Sequence, residues 1–165
     1  MLTREDVFAV LDGVKDPEVP ALSVVELGVV RDVSVDEAGA VTVAVTPTYS
    51  GCPAMQVIEA DIVAALRARG VPETRVRTAY APAWTTDWKS DAAKAKLEAY
   101  GIAPPGPAPA ADDDLVPLRR RDAVVRCPYC KSDDTSLRSE FGSTACKSIR
   151  FCNSCRQPFE QFKAI

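Results

Sequence analysis

Two pairs of cysteines near the C-terminus have the types and spacing of a metal site. They form two Cys-x-x-Cys knuckles with 21 residues between the inner cysteines: Cys127, Cys130, Cys152 and Cys155. Two knuckles that face each other supply the tetrahedral four-thiolate shell that zinc prefers, so the spacing predicts a structural zinc site. The same cysteines could also hold iron or an iron–sulfur cluster. Four thiolates leave no open position for a substrate, and we therefore expect no catalysis at this site.

Cys52 is a second candidate, because it stands between a predicted strand and a predicted helix. Pro53 follows it and suits the first turn of a helix. A thiol at a helix N-terminus lies in positive potential and ionises more easily, which would favour a nucleophile or an iron ligand. The alternative is a buried cysteine that packs as a small apolar side chain.

Three further features each allow two interpretations. Cys146 lies outside both knuckles and is either a packed cysteine of a ribbon strand or a second reactive thiol that could replace a metal ligand. Trp84 and Trp88 either cover a small core or anchor a partner protein. Three adjacent arginines at 119–121 are too few to predict nucleic-acid binding.

The 165-residue chain contains no histidine. This removes the usual general base and any histidine metal ligand, so metal sites must use thiolates or carboxylates. There is no Glu-x-x-His di-iron signature and no glycine-rich nucleotide loop, which argues against a catalytic role. We see no signal peptide and no apolar run long enough for a membrane span, and we expect a cytoplasmic protein whose six cysteines stay reduced.

Charge is distributed unevenly along the chain. Residues 1–114 hold 10 Lys and Arg against 18 Asp and Glu, a net charge of −8, whereas residues 115–165 hold 10 against 5, a net charge of +5. The basic part could contact nucleic acid, or two modules of opposite charge could dock on each other or on a partner.

Hydrophobic periodicity before the knuckles predicts a small α+β domain with elements in the order α-β-β-α-β. Thr3 and Asp6 match an N-cap for the first helix. Alternating residues on either side of a turn predict a hairpin, and one apolar stripe predicts the long second helix. The hairpin strands, the second helix, the third strand and a further short helix are predicted at residues 29–35, 41–46, 53–69, 74–79 and 91–100.

The composition changes at Ile102, where a run rich in proline and alanine leads into three aspartates and predicts a semi-rigid linker. We therefore divide the chain into an α/β domain at 1–101, a linker at 102–117 and a zinc ribbon at 118–165. Between the knuckles we expect a β-hairpin with strands at 135–141 and 147–151. A module this small needs a metal in place of a large core.

Two family resemblances follow from these motifs. The order of Asp16-Pro17-Glu18, the segment 25–30, the hairpin and Cys52-Pro53 resembles the iron–sulfur assembly domain shared by SufT and the eukaryotic cytosolic iron–sulfur targeting factor. The second half is similar to the PaaD family, which belongs to the phenylacetyl-CoA epoxidase system, so that the resemblance covers nearly the whole chain. The segments that carry the PaaD resemblance are 84–88, 141–144, 146–147, 152–155, 158–159 and 162–163.

The resemblance implies a role in aerobic phenylacetate degradation. In that pathway a di-iron oxygenase converts phenylacetyl-CoA to its ring 1,2-epoxide, and a flavin and [2Fe–2S] reductase supplies the electrons. A PaaD-like chain is implied to be a non-catalytic accessory subunit that assists iron–sulfur or iron cofactor assembly. The resemblance assigns cluster handling to Cys52 and Cys146, with Asp16 and Glu18 as the acidic loop. It implies structural Zn²⁺, a transient iron–sulfur cluster, and protein partners in the epoxidase system, foremost the reductase, or a second copy of the chain.

Two other classes of function compete with this hypothesis. A thiol–disulfide oxidoreductase would present one accessible Cys-x-x-Cys motif on a thioredoxin-like fold, whereas both motifs here are paired at ribbon spacing. A zinc ribbon that binds nucleic acid, or that docks on a protein without cluster chemistry, would use the +5 charge of residues 115–165. The acidic first domain argues against nucleic acid.

Overall fold

The computed structural model describes residues 2–106 and 124–164. The chain forms two compact units. The first comprises Met1–Trp84 and Trp88–Ala93, and the second comprises Thr85–Asp87 and Lys94–Ile165. Among the described residues, the helices are all too short or too polar to cross a membrane.

The first unit has the predicted order of elements, α-β-β-α-β, and the α+β class is confirmed. Its elements are α1 (Arg4–Leu11), β1 (Val30–Val35), β2 (Val41–Val45), α2 (Ala54–Ala68) and β3 (Thr74–Thr78). The predicted N-cap of α1 is also present, since the Thr3 side chain accepts from the Asp6 N–H and the Asp6 carboxylate accepts from the Thr3 N–H, which satisfies two donors at the helix start.

The three strands form one sheet in the order β1-β2-β3. β1 and β2 are antiparallel, as the predicted hairpin requires, and β2 and β3 are parallel. Val43 stands opposite Val33 on one side and Val76 on the other. The buried stripe of α2, which includes Ile58 and Ile62, supplies much of the remaining core. The apolar side chains of the helix and those of the strands thus form one apolar layer.

The second unit contains a four-stranded sheet in the order β4-β7-β6-β5. Its strands are β4 (Ile102–Ala103), β5 (Thr135–Ser139), β6 (Lys147–Cys152) and β7 (Pro158–Phe162). Helix α3 (Asp91–Ala99) precedes them, and its first three residues are assigned to the first unit. The predicted β5–β6 hairpin is present. Strands β4 and β7 were not predicted, because β4 is only two residues long and β7 begins at a proline.

The expected linker differs from the structure at its start. Ile102 and Ala103 are buried and pair in parallel with Glu160 and Gln161 of β7. These two residues belong to the sheet, because their apolar side chains are buried in its core. Residues 107–117 of the expected linker, and the arginines at 119–121, lie outside the described residues. The domain limits stay a prediction.

Candidate metal and thiol sites

The four knuckle cysteines come together in the second unit. Their sulfur atoms all lie within 4.8 Å of one another. The Sγ atoms of Cys127 and Cys155 are 3.7 Å apart, and those of Cys130 and Cys152 are 3.5 Å apart. Four sulfurs placed 2.3 Å from a central zinc ion form a tetrahedron with edges of about 3.8 Å. The observed spacing therefore fits a single tetrahedral metal ion.

The same spacing bears on the alternative metals. In an iron–sulfur cluster the cysteines bind different iron atoms, so their sulfurs must stand further apart than around one ion. A single iron ion would fit the same shell as zinc. The donor set thus matches a mononuclear structural site, in which zinc would complete the small core made by the cysteines with Val125 and Phe159.

Each knuckle is closed by two backbone hydrogen bonds. In the first, Cys127 accepts from the N–H of Lys131 at 3.0 Å and donates to the carbonyl of Ser132 at 2.9 Å. In the second, Cys152 accepts from the N–H of Arg156 at 3.0 Å and donates to the carbonyl of Gln157 at 3.0 Å. The identical pattern holds both pairs of sulfurs on one side of a turn, independently of side-chain chemistry.

The thiols of the second knuckle differ in acidity. The backbone N–H of Cys155 donates to Cys152 Sγ at 3.5 Å and, with the neighbouring thiols, lowers the pKa of Cys152 to about 7. Desolvation raises the pKa of Cys155 to about 12. Four sulfurs this close cannot all ionise without a cation among them, which is the electrostatic reason that the cluster suits a metal ion.

Cys146 lies in the same unit but outside this group. It is 3% exposed, and its Sγ lies 3.1 Å from the Thr144 hydroxyl. The loop that holds it is fixed by Glu160, whose carboxylate accepts from the Ser143 N–H at 2.7 Å and pairs with buried Lys147 at 3.0 Å. Cys146 is thus packed in the loop before β6, and its sulfur is not among the four grouped ones; its role stays a prediction.

Cys52 lies in the first unit, half-buried and immediately before α2. The Ala54 N–H and the Thr48 side chain both act on its sulfur to lower the pKa of the thiol. Thr48 was not singled out from the sequence. The sequence feature that could have indicated it is its hydroxyl group. Thr48 lies four positions before the cysteine, in the segment that leads into the helix.

The acidic loop meets Cys52 in space. Asp16 is buried, and its Oδ1 accepts from the N–H groups of Glu18 and Val19 at 2.8 and 2.7 Å, which folds the Asp-Pro-Glu segment into a tight turn. The carboxylates of Asp16 and Glu18 are close enough to Cys52 for their charges to act on its thiol. The charges of residues 34 and 36 positions earlier in the chain thus act on the Cys52 thiol, and a shared site stays a prediction.

The expectation that the helix N-terminus activates Cys52 is wrong. Burial raises the pKa of the Cys52 thiol, and the negative charges of Glu18 and Asp16 raise it further. Hydrogen bonds from the Ala54 N–H and Thr48 oppose this increase but do not overcome it. The thiol is therefore held protonated at neutral pH.

Trp84 and Trp88 lie next to Gly28 in the first unit. The Trp84 indole is 4% exposed and donates from Nε1 to the Leu27 carbonyl at 3.1 Å. The guanidinium of Arg31 stacks over the Trp88 ring at 3.4 Å. Gly28 has φ 78°, and a Cβ there would stand 3.5 Å from Trp88. Trp84 thus covers the core, while Trp88 is half-buried beside an exposed arginine.

Cys52 and Cys146 belong to different units. The roles in cluster handling that the resemblance assigns to both cysteines stay predictions.

Models of two protein families match this chain. Residues 111–163 match the PaaD zinc beta ribbon domain, and residues 4–80 match the iron–sulfur cluster assembly protein family. The second match includes Asp16, Glu18 and Cys52, and the first includes Cys146 and the four knuckle cysteines.

Known relatives agree with this division. A protein of Escherichia coli K12, provisionally named the D component of 1,2-phenylacetyl-CoA epoxidase, is 43% identical over 97% of this chain and 92% of its own length. An iron–sulfur protein maturation auxiliary factor of Bacillus subtilis is 36% identical over 57% of this chain and 92% of its own length. A similar factor of Porphyromonas gingivalis is 34% identical over 58% of this chain and 90% of its own length.

Two solved structures share the fold. A domain of unknown function, DUF59, from Bacillus anthracis has 32% identity and a TM-score of 0.54 over 57% of this chain and 90% of that chain. A conserved protein of Thermotoga maritima has 34% identity and a TM-score of 0.51 over 58% of this chain and 94% of that chain.

Proposed function

Because the chain belongs to the PaaD family of phenylacetyl-CoA epoxidase subunits, we propose that it is a non-catalytic accessory protein that helps load iron–sulfur or iron cofactors into the reductase or oxygenase of that system. The observation that carries this proposal is the grouping of Cys52 with Asp16 and Glu18 in a unit that resembles maturation auxiliary factors. We place its action in the cytoplasm, where its thiols stay reduced.

Cys52 is the proposed point of contact with iron, which is the cargo. Burial and the two carboxylates keep the thiol protonated while no metal is present, and a protonated thiol reacts slowly with oxidants. The same carboxylates would attract a divalent cation placed beside the thiol. The thiol then exchanges its proton for metal, and hydrogen bonds from Ala54 N–H and Thr48 stabilise the thiolate.

Cys52 alone cannot hold a cluster, because such centres normally have four protein ligands. The remaining ligands come from the recipient protein, from Cys146, or from the Cys52 of a second copy. In the purified protein a second copy of the chain would supply further thiolate, and a site shared between two copies can release its cargo to a recipient that completes it.

The zinc ribbon serves as the rigid arm that docks on the recipient. A closed four-thiolate site would make its small sheet stable without a large core. The basic charge of this half of the chain would then meet an acidic recipient surface, and the contact would weaken as salt is added.

The proposal is tested in cells that lack the native chain and express the epoxidase components. We expect the wild-type chain to restore iron and sulfide in the reductase, and Cys52→Ser to leave it under-loaded although the variant protein folds and retains its zinc. Cys146→Ser, tested in parallel, shows whether the ribbon's sixth cysteine supplies one of the remaining ligands. A fully loaded reductase in cells with Cys52→Ser would refute cargo handling by Cys52.

A second candidate function is a docking or nucleic-acid-binding ribbon without cluster chemistry. One observation favours it: two guanidinium groups lie near the Phe151 ring, with the Cζ atoms of Arg138 at 5.0 Å and Arg156 at 6.0 Å from its centroid. Aromatic and cationic side chains together suit single-stranded nucleic acid. A salt titration with single-stranded and duplex DNA distinguishes the candidates, because only this second function predicts tight binding that Phe151→Ala removes.

A further inference from the structure

The sheet of the first unit ends at β3, and no other strand pairs with its outer edge among the described residues. At its two ends, the carbonyl of Glu73 and the N–H of Ala79 bond to β2. Backbone groups alternate in direction along a strand, so those of Thr74, Val76 and Thr78 point away from β2. Three residues with outward N–H and C=O groups form a template for an added strand.

The face of β3 that meets α2 forms one wall of an open groove of ≈ 530 Å³. Its lining includes small or apolar side chains and also the polar residues Glu59 and Arg67. Ala60 and Ala64 leave space between helix and strand for the side chains of another chain. The groove is lined by Gln56, Glu59, Ala60, Val63, Ala64, Arg67 and Val76.

The opposite face of β3 carries two exposed arginines, Arg75 and Arg77, at alternate positions. Arg75 pairs with Glu73 at 2.9 Å, but both side chains are more than half exposed, and such surface pairs contribute little and exchange readily. A strand added beside β3 would therefore place every second side chain next to an arginine and the others in the groove.

We propose that the edge of β3 binds an extended segment of a protein partner, in which acidic side chains alternate with small apolar ones. The acidic side chains pair with Arg75 and Arg77, and the apolar ones enter the groove beside Val76. The backbone of the segment bonds to the outward groups of Thr74, Val76 and Thr78. This surface contains no thiol, so the proposal does not depend on iron handling by Cys52.

A second copy of this chain is a poorer occupant of the same edge. The sequence of β3 is a palindrome, Thr-Arg-Val-Arg-Thr, centred on Val76. Antiparallel pairing with a copy over the whole strand would place Arg75 opposite the copy's Arg77, and like charges directly opposite each other destabilise a strand pair. Charge complementarity therefore favours an acidic partner.

The test measures the affinity of the full, zinc-loaded chain for a labelled synthetic peptide with blocked ends in which Val and Glu alternate. A peptide of the same composition with its valines and glutamates in separate blocks is the sequence control. Two further peptides carry N-methyl groups, one on every Val amide and the other on every Glu amide. Strand addition predicts that only one of these two loses binding, since only one set of amides faces β3.

Three variants of the chain complete the design. Arg75→Glu/Arg77→Glu is expected to weaken binding about tenfold, because two attractive cross-strand pairs become repulsive. Ala60→Leu fills the groove from an exposed helix position and should also weaken binding. The matched control, Arg69→Glu/Lys96→Glu, makes the same charge change at exposed positions outside β3 and should bind as the wild type does.

Equal binding of the alternating and block peptides, or equal effects of both N-methylated peptides, would overturn the proposal. No detectable binding of the alternating peptide at millimolar concentration would overturn it as well. A dimer of the chain that Arg75→Glu/Arg77→Glu disrupts would assign the edge to a second copy instead.

Discussion

Lys131 and Arg156 adopt the same left-handed backbone conformation, with φ of 63° and 64°, and each lies four residues after the first cysteine of its knuckle. Each donates its N–H to the carbonyl of that cysteine. Because this conformation is unfavourable for a residue with a Cβ, its occurrence at both equivalent positions shows that the turn geometry is imposed by the knuckle and not by the side chain. The two halves of the candidate metal site are thus copies of one local structure.

Arg156→Gly is therefore expected to be more stable than Arg156→Ala by about 1 kcal/mol, because glycine avoids the Cβ clash of the left-handed region. Both substitutions remove the same contact with the Phe151 ring, so their difference isolates the backbone. Denaturant unfolding of the two zinc-loaded variants measures this difference in the free energy of unfolding. A glycine variant less stable than the alanine variant would contradict the assigned strain.

In the zinc-loaded protein at most one of the six cysteines should react with a thiol reagent, and it should react slowly at neutral pH. The knuckle thiols are expected to be bound to metal, and Cys146 is 3% exposed, which leaves half-buried Cys52. Removal of the metal by a chelator should expose the knuckle thiols and unfold the ribbon, because binding free energies of about 10–16 kcal/mol support such sites. Rapid reaction of three or more thiols before chelation would exclude a closed site.

The reactivity of Cys52 should depend on the acidic loop. The thiolate is the reacting form, and burial, Glu18 and Asp16 all raise the pKa of this thiol. The thiolate fraction therefore stays small at neutral pH and grows only as pH rises above the range of an ordinary cysteine. Removing one negative charge should lower the pKa and speed alkylation at a pH of about 7.5, which is below the usual cysteine pKa.

We expect Glu18→Gln to alkylate faster at Cys52 than the wild type, with the midpoint of the rate–pH profile moved to lower pH. Glu37→Gln, which alters an exposed carboxylate in the β1–β2 turn, is the matched control and should leave the profile unchanged. Superimposable profiles for Glu18→Gln and the wild type would show that Glu18 does not act on the thiol. Mass spectrometry of the alkylated peptide confirms the site.

Trp84→Phe should destabilise the first unit by about 2 kcal/mol. The substitution removes the indole donor from the buried Leu27 carbonyl and leaves space in a packed region. Trp88→Phe, at a half-buried position, should cost less than about 1 kcal/mol. Chemical denaturation followed by circular dichroism compares the two, and an equal loss for both would contradict the different roles assigned to them.

The elements with strong local periodicity were predictable from the sequence. The N-cap at Thr3, the β1–β2 hairpin and helix α2 each depend on residues within a few positions of one another. The two knuckles were equally predictable, because the geometry of a Cys-x-x-Cys turn is local. Only the approach of one knuckle to the other depends on distant contacts. The structure shows that approach, since all four sulfur atoms lie within 4.8 Å of one another.

Features set by distant contacts were missed or predicted wrongly. Strand β4 contains only Ile102 and Ala103 and exists because β7, more than fifty residues later, offers it an edge. The acidity of Cys52 was predicted from the adjacent helix alone. Burial, with the added charges of Glu18 and Asp16, reverses the expected shift, and both effects depend on how the first loop packs in the folded unit.

Metal and sulfide analysis with visible spectra, on protein purified without air, tests the central claim most directly. For the wild-type chain the account predicts one zinc per chain together with iron and sulfide. For Cys52→Ser it predicts the same zinc with the iron and sulfide lost. One zinc and no iron in either sample, including after incubation with ferrous iron and sulfide, would contradict cargo handling by Cys52 and leave a zinc-stabilised docking protein.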